Sequence, residues 1–134
     1  GGALTIEGAV GQNPFGNMRI YNASSVDLSE VNARDLAIAG GLASVNLRGP
    51  MNFTGVGGLF IEGGPLQLGS SIDSTHVWFL SQGNIIRTSE GQSINVVSAD
   101  SPLVFEYFNA VGGNIGSFED PIVLNTLNRS TLGA

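Results

Sequence analysis

Along the chain one pattern recurs: apolar, any residue, apolar, closed off by Gly, Asn, Ser or Pro. It stands at Leu4/Ile6, Met18/Ile20, Val26/Leu28, Leu36/Ile38, Val45/Leu47, Met51/Phe53, Leu59/Ile61, Leu66/Leu68, Val77/Phe79, Ile94/Val96, Leu103/Phe105 and Ile122/Leu124. A period of two sends neighbouring side chains to opposite faces, so each unit predicts a very short strand with an inner and an outer side. Starts mostly follow one another at about six to ten residues, with wider gaps near Ile85 and Ile115, where a single apolar residue marks a poorer strand. The best helical spacing, Leu28, Val31, Asp35 and Ile38 within Val26 to Ala39, is interrupted by Ser29 and Asn32, with Ser24 and Ser25 just ahead of it. Val26 to Leu28 and Leu36 to Ile38 read equally well as strands, so no helix is expected.

Twelve or more short strands in 134 residues limit the architecture. An antiparallel sandwich of this size uses about seven to nine longer strands joined by hairpins. A parallel β-solenoid uses more and shorter ones, about three per coil, and stacks its coils at ~4.8 Å. The strand count favours an all-β parallel solenoid. Coils of roughly 20 to 22 residues give about six of them, in a stack on the order of 30 Å tall. The sandwich, as a pilus-like subunit that donates Leu4 to Val10 to its neighbour, is the alternative.

Composition sharpens this picture. The chain carries 20 Gly, 5 Pro, 12 Asn, 14 Ser and 6 Thr, and only 12% of its residues are charged. Gly, Asn and Ser suit the sharp corners of a coil, and Gly40-Gly41, Gly57-Gly58, Gly63-Gly64 and Gly112-Gly113 fall between strand units. Sparse charge suits in-register stacking, which sets like residues above one another, whereas Asn can stack as a hydrogen-bonded ladder. A net charge of −6 with five scattered Arg and no Lys argues against nucleic-acid binding. No apolar run approaches the ~20 residues of a membrane helix, so no membrane insertion is expected. Zero Cys excludes disulfides and thiolate metal sites. The chain opens on Gly1, which points to a single segment, residues 1–134, that is a processed product or a piece of a longer chain.

Several stretches resemble a known family. Ala3-Leu4-Thr5-Ile6-Glu7-Gly8-Ala9-Val10, Gly16-Asn17-Met18-Arg19-Ile20, Val26-Asp27-Leu28, Asp35-Leu36-Ala37-Ile38, Gly57-Gly58-Leu59-Phe60-Ile61-Glu62-Gly63-Gly64 and Gly112-Gly113-Asn114-Ile115-Gly116-Ser117, followed by Asp120-Pro121-Ile122-Val123-Leu124, are similar to repeats of filamentous-haemagglutinin-like proteins and autotransporter passengers. The resemblance implies a secreted, right-handed bacterial β-helix at the cell surface, working as a stalk, adhesin or matrix element. The family's secretion signature of Asn-Pro-Asn-Gly type is matched at three of four positions by Asn13-Pro14-Phe15-Gly16, which reads as a turn. Thr75 to Leu80 departs from the repeats with a bulky cluster, expected to be an insertion, a cap or an interface.

Candidate chemistry is thin. None of the eleven carboxylates stands at i, i+2 from another, and the adjacent Glu119 and Asp120 would point oppositely on a strand. His76 is the only histidine and lacks a Gly-x-Ser-x-Gly elbow nearby. Neither an Asp-rich calcium loop nor a Gly-Gly-x-Gly-x-Asp array is present. No enzymatic activity and no cofactor or metal are therefore expected. The aromatic residues carry more information. Alternation sends Val77 and Phe79 one way and Trp78 and Leu80 the other, and Phe105/Tyr107 and Glu106/Phe108 repeat the problem. One set must lie under a loop, in a subunit contact or on a glycan-binding platform. Trp78, Phe79, Tyr107 and Phe108 are the candidate contact surface, with a subunit contact favoured because open solenoid ends tend to stack. Asn22, Asn52 and Asn128 head Asn-x-Ser/Thr sequons, which bear on the protein only where its source glycosylates asparagine.

The expected function is a non-enzymatic extracellular structural segment of a surface filament, stalk or adhesin, self-associating end to end or laterally. The alternative is carbohydrate binding to host or matrix glycans through exposed aromatics. Ice binding would require Thr-x-Thr rows, which the chain lacks.

Overall fold

The structure is a computed structural model that describes residues 2–88, 94–98 and 105–126, with the side chains of 12–15, 94–98, 105–108 and 124–126 left aside. It is an all-β solenoid whose strands are β1 (Ala3–Tyr21), β2 (Ser25–Ala39), β3 (Ser44–Leu47), β4 (Met51–Gly63), β5 (Leu66–Leu68), β6 (Ile72–Ser74), β7 (Val77–Ser81), β8 (Ile85–Arg87), β9 (Ile94–Ser98), β10 (Phe105–Ala110) and β11 (Ile122–Thr126). Every strand pair among the described residues is parallel. The antiparallel sandwich is thereby set aside. Leu4 to Val10 is no donated strand either, because it pairs in parallel with β2 of its own chain.

The long strands bend around corners, and the alternation shows where. In β2 the buried positions are Val26 and Leu28, then Val31 and Ala33, then Leu36 and Ile38. Between these pairs stand two outward residues in succession, Ser29-Glu30 and Arg34-Asp35. Each such doublet resets the phase of a period-two chain and turns it onto a new face. One turn therefore has three faces. On the first, Leu4, Val26, Val45, Leu66 and Ile85 form a column, with Ile6, Leu28, Leu47 and Leu68 beside it. On the second, Val31, Met51 and Ile72 stack, as do Ala33, Phe53 and Ser74. The third stacks Met18, Leu36, Leu59 and Val77, and Ile20, Ile38, Ile61 and Phe79.

These columns fill the interior. Leu28, Leu47, Leu59, Leu68, Val77 and Phe79 are all sealed from solvent within one continuous core. At ~25 cal/mol per Å² of buried apolar surface, this closely packed stack is the main favourable term of the fold. Ser74 is a polar member of an inner column, and its hydroxyl donates to the His76 carbonyl at 2.6 Å. The third corner, from the third face back to the first, is turned by a left-handed residue in the first two turns. Asn22 supplies it at φ 58° and Gly40 supplies it one turn on at φ 80°, with the Asn22 amide donating to the Ala39 carbonyl.

The first face counts the turns, with Leu4, Val26, Val45, Leu66, Ile85 and Ile115 on successive rungs. Positions 4, 26, 45, 66 and 85 are stacked neighbours, so successive turns take 22, 19, 21 and 19 residues and make about four turns. From Ile85 to its next stacked partner, Ile115, the chain takes 30 residues for one passage. That passage is a further, longer turn after the four regular ones. β10 stacks on β7 and β9 on β6 along it, and β11 then stacks on β9.

Candidate functional site

The three faces present different outer surfaces, because each outward column is set by the register of its rungs. On the first face the column runs Thr5, Asp27, Asn46, Gln67 and Ile86. Arg48 pairs with Asp27 and also donates from Nη2 to the Ile6 carbonyl at 3.0 Å, tying three turns together. On the second face Asn32, Asn52 and Asp73 are in register, and Asn52 Nδ2 donates to Asn32 Oδ1 at 3.3 Å. This one rung shows the asparagine stacking expected of a low-charge stack, and a carboxylate, Asp73, takes the next position.

The third face is the aromatic one. Its outward column runs Arg19, Ala37, Phe60 and Trp78, and the backbone of Tyr107 continues it. Phe60 and Trp78 are half-buried and stack on each other, ring centroids 5.5 Å apart and planes 19° from parallel. Beside Phe60, Asp35 shapes the corner. Its Oδ1 accepts the amide of Gly57 at 2.7 Å and that of Gly58 at 2.8 Å, so one carboxylate oxygen holds the bend of the following turn. The two bonds brace this corner from the preceding turn.

The candidate contact residues divide accordingly. Trp78 lies on the outer surface. Phe79 does not: it is wholly buried between Ile61 and the next rung, which corrects its assignment to a contact surface. The physical reason is phase, since Val77 and Phe79 continue the inner columns of Leu59 and Ile61 and only the intervening residue can face out. The backbones of Tyr107 and Phe108 pair with Trp78 and Phe79, while their side chains lie outside the described residues. Phe60 escaped the sequence reading. It sits between the inward Leu59 and Ile61 as Trp78 sits between Val77 and Phe79, and aligning those two units would have placed both rings in one column.

Other singled-out residues have structural settings. His76 turns the corner between the second and third faces, its carbonyl accepting from Leu59 N at 2.9 Å. Asp120 pairs with Arg87 at 2.5 Å. Asn22 and Asn52 are exposed, whereas Asn128 lies outside the described residues. Among the described residues no three His, Asp or Glu side chains gather as metal ligands would.

The end of the stack is the second notable surface. Among the described residues β1 pairs with β2 alone. Leu4, Ile6, Val10 and Met18 point inward but are only partly buried, where Val26, Leu28, Val31 and Leu36 one turn deeper are at most 1% exposed. The first turn is thus a core layer covered on one side.

Geometry defines the class of the molecule, a parallel β-solenoid with an aromatic flank. Comparison with known proteins adds no relative: no protein-family model, no curated protein and no solved structure matches the chain.

Proposed function

We infer that the chain is a non-catalytic structural segment of an extracellular filament, stalk or adhesin, and that it is joined end to end, through a further β-layer on its first turn, with another copy of itself or with the rest of a longer chain. The observation that carries this reading is the open layer at β1. Its inward Leu4, Ile6, Val10 and Met18 lack the second neighbour that seals the same columns below. Its outer edge, unpaired among the described residues, offers a row of backbone donors and acceptors in strand geometry. Such an edge is a template for another parallel strand, and covering it removes apolar surface from water at the same time. The resemblance to filamentous-haemagglutinin-like and autotransporter repeats supports an extracellular setting at a bacterial surface, and the Gly- and Asn-rich composition suits the stacked coils.

Electron microscopy of the purified protein over a concentration series tests this. The expected result is filaments that lengthen with concentration and an axial repeat built on ~4.8 Å rungs. Ile6→Glu, which places a charge on the open layer, should leave folded particles that no longer elongate. Compact, monodisperse wild-type particles at every concentration would overturn self-assembly as the role of this segment.

A further inference from the structure

The outward column of the third face is a ladder with one ring missing. Phe60 and Trp78 occupy successive rungs and stack, so one face of Phe60 is covered by the indole. On its other side the next rung is Ala37, whose methyl group cannot continue the stack, and Arg19 stands one rung beyond. Rungs are ~4.8 Å apart, so a missing side chain leaves a gap about one ring thick. A shallow groove of about 180 Å³ occupies that place, bordered by Asn17, Arg19, Asp35, Ala37, Gly57 and Phe60.

The chemistry of the walls narrows the occupant. Phe60 offers an aromatic face. Around the rim stand a guanidinium, an amide and a carboxylate whose Oδ1 is taken by Gly57 and Gly58, leaving Oδ2 as an acceptor. Among the described residues Arg19 forms no ion pair. A purely apolar ring inserted here would strip water from these polar groups and return nothing, which is costly. A sugar ring meets both demands. Its C–H face lies flat on an aromatic ring, and its hydroxyls donate to Asp35 and accept from Arg19 and Asn17. One positive and one negative wall favour a neutral ring over an anionic one.

We propose that this slot binds a single neutral pyranose ring of a glycan, stacked on the free face of Phe60. The site lies on the flank of the stack rather than on its open first turn, so it stands or falls independently of self-assembly. It also differs from a platform made by Trp78 itself, because the indole covers the far side of the phenyl ring.

Trp78 is the only tryptophan, and its contact with Phe60 makes its fluorescence a local reporter. The test is titration of the whole chain with methyl glucoside, methyl galactoside and methyl mannoside, beside N-acetylphenylalanine amide. At least one glycoside is expected to give a saturable change with a dissociation constant on the order of 1 mM. Ala37→Phe, which fills the missing rung, should weaken that binding at least about tenfold, the equivalent of ~1.4 kcal/mol. Arg19→Ala, at an exposed position, should weaken it severalfold with an unchanged circular dichroism spectrum. The proposal is overturned by no saturable response to any of the three glycosides, or by equal binding to Ala37→Phe. Saturation by the phenylalanine amide alone would instead mark a site for an aromatic side chain of a protein partner and would equally overturn it.

Discussion

At the scale of single residues, the neighbouring turn decides what each position tolerates. Gly58 holds φ at +62°, and a Cβ there would lie 2.6 Å from the His76 nitrogen and 2.8 Å from Ser74 Oγ, with the His76 carbonyl closer still. A left-handed L-residue costs about 1–2 kcal/mol before any clash. Gly58→Ala should therefore destabilise by about 2 kcal/mol or more, read as a lowered urea midpoint at constant slope. Gly8 has nothing within 4 Å of its Cβ position, and Gly8→Ala should stay within about 0.5 kcal/mol of wild type. The sequence marks both as glycines between strand units and cannot separate them, because the atoms that forbid a side chain at Gly58 lie 16 to 18 residues further along. Asp35 was equally illegible. Its carboxylate serves amides 22 and 23 residues away, and only the stacking interval connects them.

At the scale of the strands, the period-two units were readable because they were local. Within the described residues the units from Leu4/Ile6 to Val77/Phe79 face inward as pairs. Two rungs of the second face lacked the signature: Val31/Ala33, with its small second member, and Ile72/Ser74, where the hydroxyl finds a backbone acceptor inside the core. The aromatic surface was half readable. Bulk on both phases of Val77 to Leu80 flagged it, yet the phase that faces out is fixed by the register with β4. Columns also predict unequal consequences for equal substitutions. Ile6 and Leu47 belong to one inner column, the former at the open layer and the latter enclosed on both sides. Leu47→Ala should cost ~2–5 kcal/mol, and Ile6→Ala less than half as much, by chemical denaturation of dilute protein. Equal costs would mean that the first turn is already covered in solution.

For the molecule as a whole, the strand pairings among the described residues run between adjacent turns, with Arg48 alone shown reaching a turn further to Ile6, so stability should behave as a sum of turns and interfaces. Removing residues 45–65, one full turn, brings Leu66 onto Val26 and Leu68 onto Leu28, a register the remaining chain already supports. The shortened protein should keep its β-type circular dichroism and unfold cooperatively at a lower temperature. Loss of the β signal would show that the interval is held by something beyond neighbour contacts. The unequal length of the turns belongs to this same scale. Composition and spacing describe an average turn, and the 30-residue passage from Ile85 to Ile115 departs from the average.

The all-parallel winding has a mechanical side. Backbone hydrogen bonds between rungs point along the axis, so tension applied to the two ends loads a single rung at a time instead of shearing many together. Each turn of 19 to 22 residues occupies ~4.8 Å of the stack yet holds on the order of 70 Å of extended chain. Under pull the molecule would act as a spool, paying out slack in turn-sized steps and absorbing work at each one. It could lengthen many times over before the load reached whatever anchors it.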